Sequence, residues 1–199
     1  MKILSSKSKS FNHKLDQFLI RRKNKIQSNK VSVTNIIKDV KKNGDKALLK
    51  YEKKFNKNNV LIPSKKKIRK SISLLDKKVK NAIDQAYNRI YKFHSLQKFK
   101  NIFHKDKHNN TLLYKFVPLD SVAVYVPGSS ASYPSSLLMA SIPAIVAKVK
   151  RIIMLNPGYR GIQNPAVLYA AHKCKIKEIY SIGGPSAVAA VTYGTKKIK

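Results

Sequence analysis

Residues 121–128 read Ser-Val-Ala-Val-Tyr-Val-Pro-Gly, and the fold class of the whole chain follows from this stretch. The apolar run from Val122 to Val126 is β-branched and aromatic, which is typical of a strand buried on both faces. Pro127 and Gly128 stop that strand. After a polar loop, Ser135 is a suitable N-cap for an apolar helix over residues 137–149.

The same order of strand and helix follows a second time. Residues 152–155 form another short apolar run, which stops at residues 156–158 (Asn-Pro-Gly). Asn164 followed by Pro165 combines an N-cap with proline at the first helical position, so a helix is expected over residues 166–174.

A third unit completes the pattern. The run over residues 176–182 ends in Gly183 and Gly184, and Pro185 opens a helix through Tyr193 with Gly194 as its stop. Short connections between continuously apolar strands predict right-handed crossovers and a parallel sheet. The fold class is therefore α/β, with residues 121–199 forming an incomplete Rossmann-like parallel β-α-β unit.

The preceding residues, 1–120, are predicted to form a mostly helical N-terminal region with a short β-hairpin. A short helix ending in residues 21–23, a possible strand at residues 61–63 and a turn at residues 109–110 are expected. Asn43 and Gly44 end one helix before Asp45 caps the next. A long amphipathic helix follows, with apolar residues three and four apart from Leu75 onwards.

The charge of the chain is strongly unbalanced, with 42 Lys and Arg against 9 Asp and Glu, a formal net charge of +33. Such a balance commonly indicates a nucleic-acid partner. Here, however, lysine greatly outnumbers arginine and is spread over every polar face, so we expect only non-specific binding to nucleic acid. No apolar run reaches membrane-spanning length, so no membrane partner is expected. One cysteine and no secretory leader predict a cytoplasmic protein.

Several stretches resemble the signature of the histidinol dehydrogenase family. In the α/β part they are residues 124–128 (VYVPG), 133–140 (YPSSLLMA), 142–144 (IPA), 179–184 (IYSIGG), 187–190 (AVAA) and 193–195 (YGT). Residues 43–51 (NGDKALLKY) and the helix around residues 82–97 are also similar to the family. The resemblance covers nearly the whole chain.

This resemblance implies an oxidoreductase of L-histidine biosynthesis. Members of the family oxidise L-histidinol to L-histidine with two NAD, hold the substrate through zinc and form homodimers. The zinc ligands and a histidine–glutamate acid–base pair lie in the C-terminal half of the family, so no catalytic residue and no metal ligand is assigned in this chain. We expect a truncated N-terminal part, or one split from a separately encoded C-terminal half, that is inactive alone.

Two residues are candidates for contact with NAD. Tyr125 matches a tyrosine that contacts NAD in the family, and α/β folds place ligands at strand ends; the alternative is a core aromatic residue that closes the strand. Ser186 stands where the family usually carries a glutamine that also touches NAD, so the shorter serine weakens that contact. Without a Gly-x-Gly-x-x-Gly fingerprint, Gly128, Gly183 and Gly184 are predicted to be turn residues.

Two other function classes stay open at this point. The chain is alternatively a non-catalytic interaction module, or a basic nucleic-acid-binding protein. Histidines 94, 104 and 108 receive no metal-binding role, because none has a second ligand type at useful spacing.

Overall fold

The computed structural model describes residues 6–128, 133–158 and 161–198, and for residues 21–31 it describes the backbone only. The helices are α1 (Phe11–Tyr51), α2 (Lys65–Ser73), α3 (Lys77–Ser95), α4 (Pro134–Val146), α5 (Pro165–Lys173) and α6 (Gly184–Tyr193), with a π-helical turn (Glu52–Asn56) directly after α1. The strands are β1 (Ile102–Lys105), β2 (Thr111–Tyr114), β3 (Ser121–Tyr125), β4 (Arg151–Leu155) and β5 (Glu178–Tyr180).

Strands β3, β4 and β5 form a three-stranded parallel sheet in that order. Ser121 lies opposite Arg151, and Ile153 lies opposite Glu178. Arg151 also donates to both carboxylate oxygens of Glu178, at 2.7 and 2.6 Å, which ties β4 to β5. The predicted α/β fold class with a small parallel sheet is confirmed.

The helices after each strand begin close to the predicted positions. Asn164 caps α5, with its side-chain oxygen accepting from the Ala166 amide at 2.9 Å, as predicted. The predicted cap of α4 is wrong: Tyr133 occupies that position and Pro134 is the first helical residue, so α4 begins before Ser135 and ends at Val146. Proline suits the first helical position because its missing N–H has no helical partner there.

Helix α1 changes direction at Gly44, whose φ of 51° and ψ of −130° are not helical. This break confirms the boundary predicted at Asn43 and Gly44, and Asp39 connects the two sides of it. Its carboxylate accepts from Asn43 Nδ2 at 2.7 Å, Lys50 Nζ at 2.9 Å and Tyr51 Oη at 2.8 Å. These hydrogen bonds lower the pKa of Asp39 to about 2.

Three local predictions in the N-terminal region are wrong. The first helix does not end at residues 21–23 but continues to Gly44. Lysine, arginine and glutamine are good helix formers, so the charged run does not end the helix. Residues 61–63 form no strand. Leu75 lies outside α3, in the connection after α2, because Asp76 caps α3 by accepting from the Lys78 amide at 2.6 Å.

The predicted hairpin is present as the antiparallel pair β1 and β2, with Ile102 opposite Tyr114. Asn109 has a φ of 66° in the connecting turn. Asp106 stabilises the turn by accepting from the His108 and Asn110 amides, at 2.8 and 2.9 Å.

Two apolar cores lie on opposite faces of the sheet. Successive residues of β4 alternate between them, with Met154 in one core and Ile153 and Leu155 in the other. The first core combines residues of α3, α4 and α5, and the second combines residues of α1 and α6. Each core therefore draws on residues from both sides of residue 120, and the division into two domains stays a prediction.

Candidate functional site

The predicted NAD residues lie at the carboxyl edge of the parallel sheet, where ligands bind in open α/β folds. Three turns meet there, one after each strand. Two of their glycines approach neighbouring turns too closely for a side chain. A Cβ on Gly128 would lie 2.5 Å from the Gly158 nitrogen, and one on Gly183 would lie 2.7 Å from Pro157 Cγ. This geometry confirms Gly128 and Gly183 as turn residues.

Tyr125, the last residue of β3, reaches from this edge to the start of α6. Its hydroxyl accepts a hydrogen bond from the Gly184 amide at 3.2 Å. The side chain is 43% exposed, so it is not a core aromatic residue. The ring is therefore accessible from solvent, while its hydroxyl group is bound to the first residue of α6.

Ser186 lies on the same first turn of α6 but faces inward. The residue is 2% exposed, and its hydroxyl donates to the Gly183 carbonyl at 3.1 Å. A contact with NAD through this hydroxyl would require a different side-chain rotamer. The role of Ser186 in NAD binding stays a prediction.

Glu52 is a residue of this site that sequence reasoning missed. It comes from the π-helical turn after α1 and is fully buried, with its Oε1 accepting from the Gly183 amide at 2.8 Å and its Oε2 from Asn56 Nδ2 at 2.7 Å. Burial raises the pKa of the carboxyl group, and the hydrogen bonds from Gly183 and Asn56 oppose that rise. No local pattern reveals it, because Glu52 lies among lysines on a predicted helix.

Two buried asparagines hold the strand ends in place. Asn156 donates through Nδ2 to the Val126 carbonyl at 3.0 Å, while its backbone amide donates to the Tyr180 carbonyl at 2.9 Å. Asn58 donates to the Ser181 carbonyl at 2.6 Å. These amides connect β3, β4 and β5 just where the candidate site begins. The Asn156 Oδ1 atom is buried and accepts no hydrogen bond from the described residues.

The start of α6 does not resemble a phosphate-binding helix terminus. Such sites use free backbone N–H groups. Here the Gly183 amide is bound to Glu52, the Gly184 amide is bound to Tyr125, and Pro185 has no N–H. Residues 183–185 therefore offer no free N–H group for a pyrophosphate.

Metal-binding groups are sparse in the part of the chain that the structure describes. No group of three or more His, Cys, Asp or Glu side chains there is arranged to hold a metal ion. Cys174 is buried in the first core, and burial raises the pKa of its thiol to about 12. These residues do not fit a zinc site. Among the described helices, none is long and apolar enough to cross a membrane.

A groove with a volume of about 590 Å³ lies between the hairpin region and α4. Phe99, Phe116, Pro143 and Val146 are among its lining residues, and neither Tyr125 nor Ser186 is. His94 also lines this groove, where its Nδ1 lies 2.6 Å from Gln97 Oε1. The groove is thus separate from the candidate NAD site.

Comparison with known proteins decides the family. A statistical model of the family described as histidinol dehydrogenase matches residues 19–199. The chain belongs to the histidinol dehydrogenase family. The resemblance found in the sequence is therefore confirmed, and the matched range contains the three strand-end turns.

Individual relatives agree with this assignment. The chain is 70% identical over 199 residues to the histidinol dehydrogenase of Pelagibacter ubique, covering 100% of this chain and 46% of that protein. It is 42% identical to the Bacillus subtilis histidinol dehydrogenase, covering 84% of this chain and 40% of the relative. The crystal structure of histidinol dehydrogenase from Elizabethkingia anophelis superposes with a TM-score of 0.80 at 35% identity, covering 85% of this chain and 40% of that one. The chain thus spans about half the length of the curated relatives it matches.

Proposed function

We propose that this chain supplies the NAD side of a cytoplasmic histidinol dehydrogenase, an oxidoreductase of L-histidine biosynthesis. The observation that carries the proposal is the position of Tyr125. Its exposed ring stands at the carboxyl edge of the parallel sheet, and its hydroxyl accepts from the Gly184 amide at the start of α6. The substrate, L-histidinol, and the cofactors, NAD and zinc, are inferred from membership of the family.

When bound, NAD would supply the hydride acceptor for this oxidation, with two NAD molecules used in succession and one hydride taken by each. The residues of this chain bind and orient. Tyr125 contacts the cofactor, and the closely packed turns around Pro157 give that contact a rigid support. Ser186 contributes a second, weaker contact in a rotamer that releases the Gly183 carbonyl. In the family, zinc and the acid–base pair act from C-terminal residues, and this chain covers 46% of its Pelagibacter relative.

The proposal also includes the domain division of this chain and its assembly with other chains. Residues 1–120 form the helical N-terminal region, and residues 121–199 form the cofactor-side α/β unit. The functional enzyme is a homodimer or an assembly with a separately encoded C-terminal half, as the family resemblance implies.

A hybrid protein tests the proposal directly. This chain would replace the matching 46% of the Pelagibacter relative, to which it is 70% identical. We expect the hybrid to form NADH when L-histidinol is added. A folded hybrid without L-histidinol-dependent NADH formation, beside an active Pelagibacter parent prepared in parallel, would overturn the proposal.

The role of Tyr125 is tested in the same hybrid by Tyr125→Phe. Loss of one hydrogen bond of about 0.5–1.5 kcal/mol corresponds to a decrease of about 2- to 13-fold in NAD affinity if the ring keeps its place through that bond. Tyr193→Phe is the matched control, because Tyr193 is 50% exposed at the other end of α6. Equal NAD affinity in the two variants would contradict a role for the Tyr125 hydroxyl.

The net charge predicts a second property, which is non-specific binding to polyanions. With a formal charge of +33, the chain attracts polyanions whatever its enzymatic role. We expect binding to duplex DNA to be insensitive to sequence and steeply dependent on salt. A sequence-selective complex at physiological salt would instead favour a nucleic-acid-binding function.

A further inference from the structure

We propose that Glu52 is a positioning residue for the NAD site, acting through the Gly183–Gly184 turn. The proposal rests on the function proposed above, since it assigns a role to a residue behind the same site. Glu52 does not face the open side of the turn, so it is not proposed to touch the cofactor.

The contact between Glu52 and the turn is long-range and direct. Glu52 Oε1 accepts from the Gly183 amide at 2.8 Å, across 131 residues of sequence. Oε2 accepts from Asn56 Nδ2 at 2.7 Å, within the same π-helical turn. Asn56 therefore fixes the carboxylate through Oε2, and the carboxylate in turn binds the Gly183 amide through Oε1.

The turn needs such a restraint because it contains two consecutive glycines. Glycine has access to more backbone conformations than any other residue, and Gly184 uses this freedom with a φ of +65°. The Gly183 amide is bound by Glu52 from the buried side, and the next amide, of Gly184, donates to Tyr125 Oη at 3.2 Å. Holding Gly183 in place therefore orients the N–H group that meets Tyr125.

A second contact from the same segment supports this role. Asn58, two residues after the π-helical turn, donates through Nδ2 to the Ser181 carbonyl at 2.6 Å and lies 3.0 Å from the Ser181 hydroxyl. Residues 52–58 thus hold the chain on both sides of Ile182, immediately before α6.

The chemistry of Glu52 favours positioning over simple packing. The residue is fully buried, and burying a carboxylate costs free energy unless hydrogen bonds compensate. An apolar side chain would fill the same space without that cost. A hydrogen-bond acceptor is needed here because the Gly183 amide would otherwise be buried without a partner.

Three variants in the full chain test the proposal. Glu52→Ala removes the acceptor, whereas Glu52→Gln keeps an acceptor for Gly183 and, with the Asn56 amide turned over, keeps the second bond. Lys53→Ala is the matched control, because Lys53 is the exposed neighbour of Glu52. The measurements are the NMR signals of the Gly183 and Gly184 amides and the affinity for NAD, taken well below the melting temperature of each variant.

We expect Glu52→Ala to shift both amide signals and to weaken NAD binding by about tenfold, the size expected for a buried hydrogen bond to a charged group. Glu52→Gln should restore NAD affinity to within about threefold of the parent, and Lys53→Ala should leave it unchanged. If Glu52→Ala does not fold, Glu52→Asp, which withdraws the carboxylate by one methylene group, replaces it with the same expectation.

The outcomes separate this proposal from the proposed function. A folded Glu52→Ala chain with an unchanged Gly184 signal and unchanged NAD affinity overturns the role of Glu52. If neither the parent chain nor the hybrid with the Pelagibacter relative binds NAD, the proposed function fails. The Gly184 amide and the Tyr125 ring signals then decide whether Glu52 positions the turn.

Discussion

Replacing Gly183 with alanine tests the close packing of the three strand-end turns. Gly183 has a φ of −149°, which any residue adopts, so backbone strain does not enter. The obstacle is Pro157, because the new Cβ would lie 2.7 Å from its Cγ, 2.9 Å from its Cβ and 3.3 Å from its Cδ. The first two distances are well inside van der Waals contact, so the turns must separate.

Forced overpacking of this kind costs about 1–3 kcal/mol of unfolding free energy. For a chain of this size, each kcal/mol lowers Tm by about 2–4 °C, so we expect a decrease of about 2–12 °C. Urea and thermal unfolding followed by circular dichroism measure both quantities. Because Gly183 also donates to Glu52, the hydrogen bond at the start of α6 should weaken with it.

A double-mutant cycle identifies the cause. Pro157→Ala removes Cγ and Cδ of the proline but keeps its Cβ, 2.9 Å from the new Cβ, so the cost of Gly183→Ala should fall only in part in that background, by about 0.5 kcal/mol or more. Gly128→Ala is the control, since the Gly158 backbone nitrogen and oxygen, at 2.5 and 2.7 Å, obstruct its Cβ in addition to Pro157. Pro157→Ala should therefore rescue Gly128→Ala much less. A Gly183→Ala chain as stable as the parent, or equal rescue of both glycine variants, would refute the reasoning.

Three further predictions follow from individual contacts. Burial raises the pKa of the Cys174 thiol to about 12, so it should resist alkylation in the native chain and react in urea; rapid native labelling would contradict this. Hydrogen bonds lower the pKa of Asp39 from 3.8 to about 2, so its contribution to stability is present above pH 3.8 and lost as pH falls through 2. The urea midpoints of the parent and Asp39→Asn should converge over that range, and a constant difference would count against the contacts at the Gly44 break. Asn164→Ala should cost about 0.5–2 kcal/mol through loss of the α5 cap, and Asn164→Asp should be close to neutral. Equal urea midpoints for the alanine variant and the parent would show that the cap contributes nothing.

Much of the α/β unit was predictable because its signals are local. Apolar runs placed β3, β4 and β5, and Asn164 with Pro165 placed the start of α5. The break at Gly44 was also predictable from the sequence, because glycine is about 1 kcal/mol less favourable than alanine inside a helix. The apolar run from Val122 to Val126 placed Tyr125 near a strand end, and β3 ends at Tyr125.

The misplaced boundaries show where local signals compete. Ser135 is favourable as an N-cap and Pro134 as the first helical residue, and in the structure α4 begins at Pro134. Leu75 fits the apolar face of α3, but the cap formed by Asp76 separates it from that helix. Apolar spacing gives the face of a helix, whereas a cap decides its first residue.

The sequence by itself determined the order of the elements, the parallel sheet and the family, because these depend on side-chain periodicity and on residues close together in the chain. Only the tertiary structure decided which groups meet at the carboxyl edge. Glu52 reaches Gly183 across 131 residues, and Asn58 reaches Ser181 across 123. It also decided that Ser186 faces the Gly183 carbonyl rather than the open side of the site. Such contacts carry no periodic signal, since they depend on the second core, which packs α1 and α6 against the same face of the sheet.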